Sequence, residues 1–150
     1  MILVMQQTRT QPIILLVEDY PDSRQMLALL LESLDYCVIP AANGREALDA
    51  AAKNEIDLVL TDFNLPDMTG PTVVRCVRKL GNRRAHIPVI MLTASDSYEY
   101  RSLAAEAECD AFLSKPADFE VLRATIDRLL QMNQRGMRRA QQSTELTAWQ

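Results

Sequence analysis

The sequence is poor in the features that would mark several large classes of protein. Its three cysteines, Cys37, Cys76 and Cys109, are scattered, odd in number and form no Cys-x-x-Cys pair, which excludes a disulfide framework and a cysteine-held zinc site. They read as small, reduced core residues. A single histidine, His86, leaves no Ser-His-Asp or Cys-His set to assemble. There is no Gly-x-x-x-x-Gly-Lys loop and no Gly-x-Gly-x-x-Gly turn, so nucleotide phosphates lack a glycine-rich cradle. The apolar opening Met1-Ile2-Leu3-Val4-Met5 is followed at once by Gln6, Gln7 and Thr8, far short of a signal core or a membrane span. The expected setting is the cytoplasm, with no membrane contact. A net charge of -4 and a pI near 5.0 provide no basic face for nucleic acid.

What is present is a chain of 150 residues, 48% of them hydrophobic, enough for one core and short for two. Apolar runs of strand length occur at Ile13 to Val17, Cys37 to Ala41, Leu58 to Thr61, Val89 to Leu92 and Ala111 to Leu113. Their continuous rather than alternating apolarity predicts burial on both faces. Between them, Met26, Leu27, Leu30, Leu31 and Leu34, and then Val73, Val74, Val77 and Leu80, recur at helical spacing. Asn43 with Glu46 reads as a capping pair, and Asp118 as the N-cap of a helix carrying Leu122, Ile126 and Leu129. A weakly amphipathic helix is expected from about Ser97 to Ala107. Strand and helix alternate five times, which predicts an α/β fold: a doubly wound parallel sheet with helices on both faces.

In such a sheet the carboxyl ends of the strands share one edge. Glu18-Asp19, Asp62, Thr93 and Lys115 all stand at strand ends, so three carboxylates, a hydroxyl and an ammonium group are expected to meet there. Asp57 starts the strand that Asp62 closes, and five residues put the two roughly 16 Å apart; only Asp62 belongs to the cluster. Gathered carboxylates repel one another and suit a hard divalent cation such as magnesium. Each residue also has a plainer reading: Glu18-Asp19 as a polar loop start and helix cap, Thr93 as an ordinary β-branched strand residue, Lys115 as a solvated surface lysine.

Four blocks, in order and in register, carry a resemblance. Ile14-Leu15-Leu16-Val17-Glu18-Asp19, Leu58-Val59-Leu60-Thr61-Asp62-Phe63-Asn64-Leu65-Pro66 followed by Gly70, Pro88-Val89-Ile90-Met91-Leu92-Thr93-Ala94, and Phe112-Leu113-Ser114-Lys115-Pro116 are similar to the receiver domain of two-component response regulators. The resemblance implies a flavodoxin-like sheet of strand order 2-1-3-4-5 over residues 12–131, between an N-terminal tail (1–11) and a C-terminal tail or linker (132–150). It implies a signalling phosphoacceptor rather than an enzyme, limited to self-phosphorylation and autodephosphorylation. Asp62 would take the phosphoryl group from a histidine kinase or phosphotransfer protein, with Lys115 and Thr93 assisting. Asp19, Asp62 and the main-chain carbonyl of Asn64 would hold Mg2+, with Glu18 acting through water. Thr93 and Phe112 would form the switch towards an unknown downstream protein or a phosphorylation-linked homodimer. Phe112, lacking a hydroxyl, has only packing to hold an inward state; its plainer reading is core burial. Glu108 stands where these domains commonly have glycine, so its turn is either altered or left-handed at some cost. Lys115-Pro116 falls where related proteins carry a cis peptide.

Two rivals follow from the same residues. The chain could be the receiver fragment of a larger DNA-binding or enzymatic regulator, cut at a linker. A metal-dependent aspartyl-phosphate phosphatase would also use a strand-end aspartate, but it needs a second acid two residues on, where this sequence has Asn64. His86 as a phosphohistidine donor gives way to an ordinary loop residue. Beyond Leu130 the stretch with Arg135, Gly136, Arg138, Arg139 and Trp149 has nothing to bury; it reads as a helix end and a disordered tail or linker, or alternatively as a partner or nucleic-acid contact.

Overall fold

The computed structural model describes residues 11–95 and 97–148, those from 135 onward as backbone only. Residues 1–10 of the N-terminal tail and Trp149 lie outside the described residues, as do the side chains of Arg135, Arg138 and Arg139. In chain order the elements are β1 (Ile13–Val17), α1 (Pro21–Ser33), β2 (Cys37–Ala41), α2 (Gly44–Lys53), β3 (Leu58–Asp62), α3 (Gly70–Lys79), β4 (Val89–Thr93), α4 (Tyr98–Glu106), β5 (Ala111–Ser114) and α5 (Phe119–Ala148); a 3-10 turn at Asn82–His86 precedes β4. The strands form one parallel sheet of order β2-β1-β3-β4-β5, as the resemblance implied. His86 sits in the 3-10 turn that leads into the amino end of β4.

Strand side chains alternate between faces, and the alternation divides the core in two. Ile14, Leu16, Leu58, Leu60, Ile90 and Leu92 pack with Leu27, Leu31, Leu122, Ile126 and Leu129 of α1 and α5. Leu15, Val17, Val59, Val89 and Met91 pack with Ala47, Ala51, Val73, Val74 and Val77 of α2 and α3. With helices on both sides, neither face of the central strands needs polar residues, which is why β1, β3 and β4 read as unbroken apolar runs. Truncating a central residue such as Leu60 to alanine would cost roughly 2–5 kcal/mol.

Several expectations about burial are corrected. The edge strands β2 and β5 are only partly covered, and Cys37 and Pro40 on β2 are exposed. Cys37 is therefore not a core residue, while Cys76 and Cys109 are half-buried and all three thiols are free. Met26 and Leu80 complete helical stripes in the sequence, yet both face solvent, because each lies at the margin of an apolar arc wider than the contact. α5 does not end near Leu130. Among the described side chains its last core contact is Leu130, but the helix continues to Ala148, since no proline interrupts it and its later residues are mostly good helix formers.

The caps that frame the site follow the sequence. Asn43 accepts from the Glu46 N–H at 2.8 Å, and Glu46 reaches back to the Ala42 N–H at 2.7 Å, one residue further than a usual capping pair. Asp118 accepts from the N–H groups of Glu120 and Val121.

Candidate functional site

The order of the sheet creates a switch point between β1 and β3, where the connection leaving β1 runs to β2 on one side and the connection leaving β3 runs to β4 on the other. Pairing of Val17 with Thr61 sets Glu18 beside Asp62. Pairing of Asp62 with Leu92 and of Thr93 with Ser114 brings Thr93 and Lys115 to the same edge, where the Lys115 N–H donates to the Thr93 carbonyl at 2.7 Å. Asp57 is at the other end of β3, its carboxylate accepting from the Ile13 N–H at 2.7 Å. The separation of the two aspartates inferred from strand length therefore holds.

At this edge the Lys115 ammonium lies 2.7 Å from Glu18 Oε2 and 2.8 Å from Asp62 Oδ1. The Glu18 side chain is 2% exposed and that of Asp62 12%, and a carboxylate so far from water requires a cation. Lys115 is thus no free surface lysine. Burial and the Glu18 carboxylate push the Asp62 pKa up to about 7, against the pull of Lys115. Burial alone would lower the Lys115 pKa, but its bonds to Asp62 and Glu18 outweigh it and the net shift is upward. Asp19 joins the same cluster: Glu18, Asp19 and Asp62 each present a carboxylate oxygen, and these oxygens lie within 4.8 Å of one another. Three carboxylates facing one ammonium leave excess negative charge, and an all-oxygen donor set of that kind fits magnesium. The helix-cap reading of Glu18-Asp19 fails, because α1 is entered through Tyr20 and Pro21 with no side-chain cap.

Thr93 is 2% exposed and its hydroxyl accepts from the Ser95 N–H at 3.1 Å, while Ala94 beside it is exposed. Phe112 is half-buried, with the Arg101 guanidinium carbon 5.2 Å from its ring centroid, a cation–π distance. Asn64 is exposed at the start of the β3–α3 loop and pairs with Thr69 across it. The Lys115-Pro116 peptide is cis, and Glu108 is left-handed with φ 61°, the second of the two alternatives for this turn.

Three supports went unread in the sequence. Arg24 donates to the carbonyls of Glu18 (2.9 Å) and Asp19 (3.3 Å), fixing the turn that holds the acidic pair. Arg78 donates to the carbonyls of Ala107, Glu108 and Ile87, bracing the left-handed turn from α3. Phe63, next to Asp62, stacks on Tyr100 of α4 with centroids 4.3 Å apart. Each contact joins positions with no shared periodicity, so only a bulky or charged residue near a site residue hinted at it.

Residues 14–127 match the family model of the response regulator receiver domain. The sensor histidine kinase RcsC of Escherichia coli strain K12 is 39% identical over 113 residues, which cover 75% of this chain and 12% of the kinase. The uncharacterized transcriptional regulatory protein YkoG of Bacillus subtilis strain 168 is 38% identical over 120 residues, 80% of this chain and 51% of that protein. This chain thus spans a small part of the kinase and about half of the regulator. Among solved structures, the chemotaxis protein CheY4 of Vibrio cholerae has a TM-score of 0.75 at 34% identity, covering 79% of this chain and 98% of that one. The receiver domain of the sensor histidine kinase PA1611 of Pseudomonas aeruginosa, with a magnesium ion coordinated in its active-site cleft, has a TM-score of 0.74 at 30% identity, covering 80% and 98%.

Proposed function

Since the chain belongs to the response regulator receiver domain family, we propose that it is the phosphoacceptor of a two-component phosphorelay in the cytoplasm, modified on Asp62 by a partner histidine kinase or phosphotransfer protein. The observation that carries this reading is the convergence of Asp62, Asp19 and Glu18 with the Lys115 ammonium at one sheet edge. Asp19, Asp62 and the Asn64 main-chain carbonyl would hold Mg2+, with Glu18 acting through water; the magnesium in the PA1611 receiver supports this. When bound, magnesium supplies the positive charge that lets an anionic nucleophile approach an anionic phosphoryl group.

An Asp62 carboxylate oxygen bonds to phosphorus as the P–N bond of phosphohistidine breaks, and the electron pair leaves on the imidazole nitrogen. Lys115, already within hydrogen-bond distance of Asp62, pairs with the incoming phosphoryl oxygens. The Thr93 hydroxyl turns towards the same group and Phe112 moves into the space released, so that the face of α4, β5 and α5 changes its fit to a downstream protein or a second copy. Incubation with acetyl phosphate and magnesium, followed by intact-mass analysis, tests the assignment. The wild type gains a phosphoryl group and Asp62→Asn does not; equal modification of both would overturn it.

A second reading has the same chemistry in a larger setting. The curated relatives are longer proteins and α5 runs on past the matched residues, which favours a receiver joined to a kinase or output domain. The phosphatase reading lacks its second acid at Asn64; turnover of a phosphomonoester would revive it.

A further inference from the structure

The β3–α3 loop that carries Asn64 is anchored at two levels. Its base is closed by the Gly70 N–H donating to the Phe63 carbonyl at 2.6 Å, by the Leu65 N–H donating to the Met68 carbonyl at 3.2 Å, and by the pairing of Asn64 with Thr69. Its tip is held from outside. One carboxylate oxygen of Asp67 accepts from the Gly44 N–H at 2.8 Å and the other from the Arg45 N–H at 2.9 Å, at the amino end of α2. These bonds to Gly44 and Arg45 hold the exposed Asp67 carboxyl below its ordinary pKa. Met68 next to it lies so close over Gly44 that a Cβ there would overlap Met68 Cγ.

α2 carries part of its cap locally. Asn43 accepts from Glu46 and Glu46 from Ala42, the second bond one residue beyond the usual capping pair. Asp67 takes the Gly44 and Arg45 N–H groups that the local cap leaves open, and in doing so ties the loop tip to a helix distant in sequence. A metal ligand that is a main-chain carbonyl can be aimed only by fixing the backbone around it, and groups that orient ligands in this way typically change affinity by about 10–100-fold.

We propose that Asp67 is a positioning residue for the magnesium site: by clamping the β3–α3 loop to the amino end of α2 it presets the Asn64 carbonyl towards the cation. This rests on the magnesium reading above. Asp67 itself touches neither the metal nor the phosphoryl group.

Calorimetric magnesium titration of the full chain, paired with hydrogen exchange over residues 63–70 in metal-free buffer, tests the clamp. Asp67→Ala is expected to raise the Kd on the order of tenfold, with unchanged stoichiometry and faster exchange in the loop. Its phosphorylation rate recovers at saturating magnesium, since uniform binding rather than transition-state stabilisation has been lost. Asp67→Asn, nearly isosteric and retaining one acceptor oxygen, gives an intermediate Kd and serves if the alanine variant folds poorly. Asn43→Ala weakens the α2 cap but leaves the Kd unchanged. A wild-type Kd in Asp67→Ala would overturn the inference, as would an equal shift in Asn43→Ala, which would tie affinity to the stability of α2. Absence of magnesium binding by the wild type would overturn the metal reading itself, and this inference with it.

Discussion

The ammonium group of Lys115 stands 2.8 Å from Asp62 while also 2.7 Å from Glu18. Burial, and then the Glu18 carboxylate that shares this one cation, push the Asp62 pKa up to about 7. A carboxyl group with a folded pKa above its unfolded value binds more protons folded than unfolded between the two. Its contribution to stability is therefore lost as pH rises towards the folded value.

In metal-free buffer the wild type should accordingly lose stability relative to Asp62→Asn between about pH 4 and pH 7, by up to about 4 kcal/mol. Above that range Asp62→Asn is the more stable protein, and added magnesium narrows the gap by offsetting the carboxylate charge. Urea midpoints across the range measure this. Parallel pH profiles for the two proteins would show that Asp62 ionises without penalty.

Asp19→Asn should weaken magnesium binding by on the order of tenfold or more, since it removes a ligand charge at the cluster. Asp57→Asn, at the opposite end of β3, should leave the Kd unchanged. Its loss includes the charge-assisted bond from the Ile13 N–H and falls on stability, by about 1–3 kcal/mol. Titration of both variants would expose a misplaced site if Asp57→Asn had the larger effect on Kd.

Thr93→Ala should remain phosphorylatable yet fail to rearrange the face of α4 and β5. Phosphorylation adds roughly -1.5 to -2 charge units at Asp62, and the Thr93 hydroxyl, now engaged by the Ser95 N–H, is the group able to follow that charge. Hydrogen exchange over residues 95–115, with and without beryllofluoride, reports the change. An identical response in the wild type and Thr93→Ala would remove the hydroxyl from the relay.

Glu108→Gly should stabilise the protein. Glu108 adopts φ 61°, a region that costs a residue with a Cβ about 1–2 kcal/mol, of which the greater unfolded-state entropy of glycine offsets roughly 0.5–1 kcal/mol. The Arg78 bond to the residue 108 carbonyl survives the change. A net gain of about 0.5–1 kcal/mol in chemical denaturation is expected; a loss would mean that the glutamate side chain contributes more than its backbone strain removes.

The sequence by itself determined the succession of strands and helices, the division of Asp57 from Asp62, and the residues at the carboxyl edge, because apolar period and strand length are local properties. Phosphoacceptor, switch and metal roles for Asp62, Thr93, Phe112 and Asn64 came from family resemblance and await the experiments above. Edge exposure was not legible: Cys37 and Met26 have the residue type of core positions, and only their place on β2 and at the margin of α1 exposes them. Nor were the partners of Arg24, Arg78 and Asp67, since a charged residue carries no mark of which distant carbonyl or N–H it will meet. Tertiary structure decided that Lys115 bridges Glu18 and Asp62 and that Asp67 reaches across to α2. Such bonds depend on the relative placement of elements far apart in the chain, and that placement follows from how the two faces of the sheet pack rather than from any local pattern.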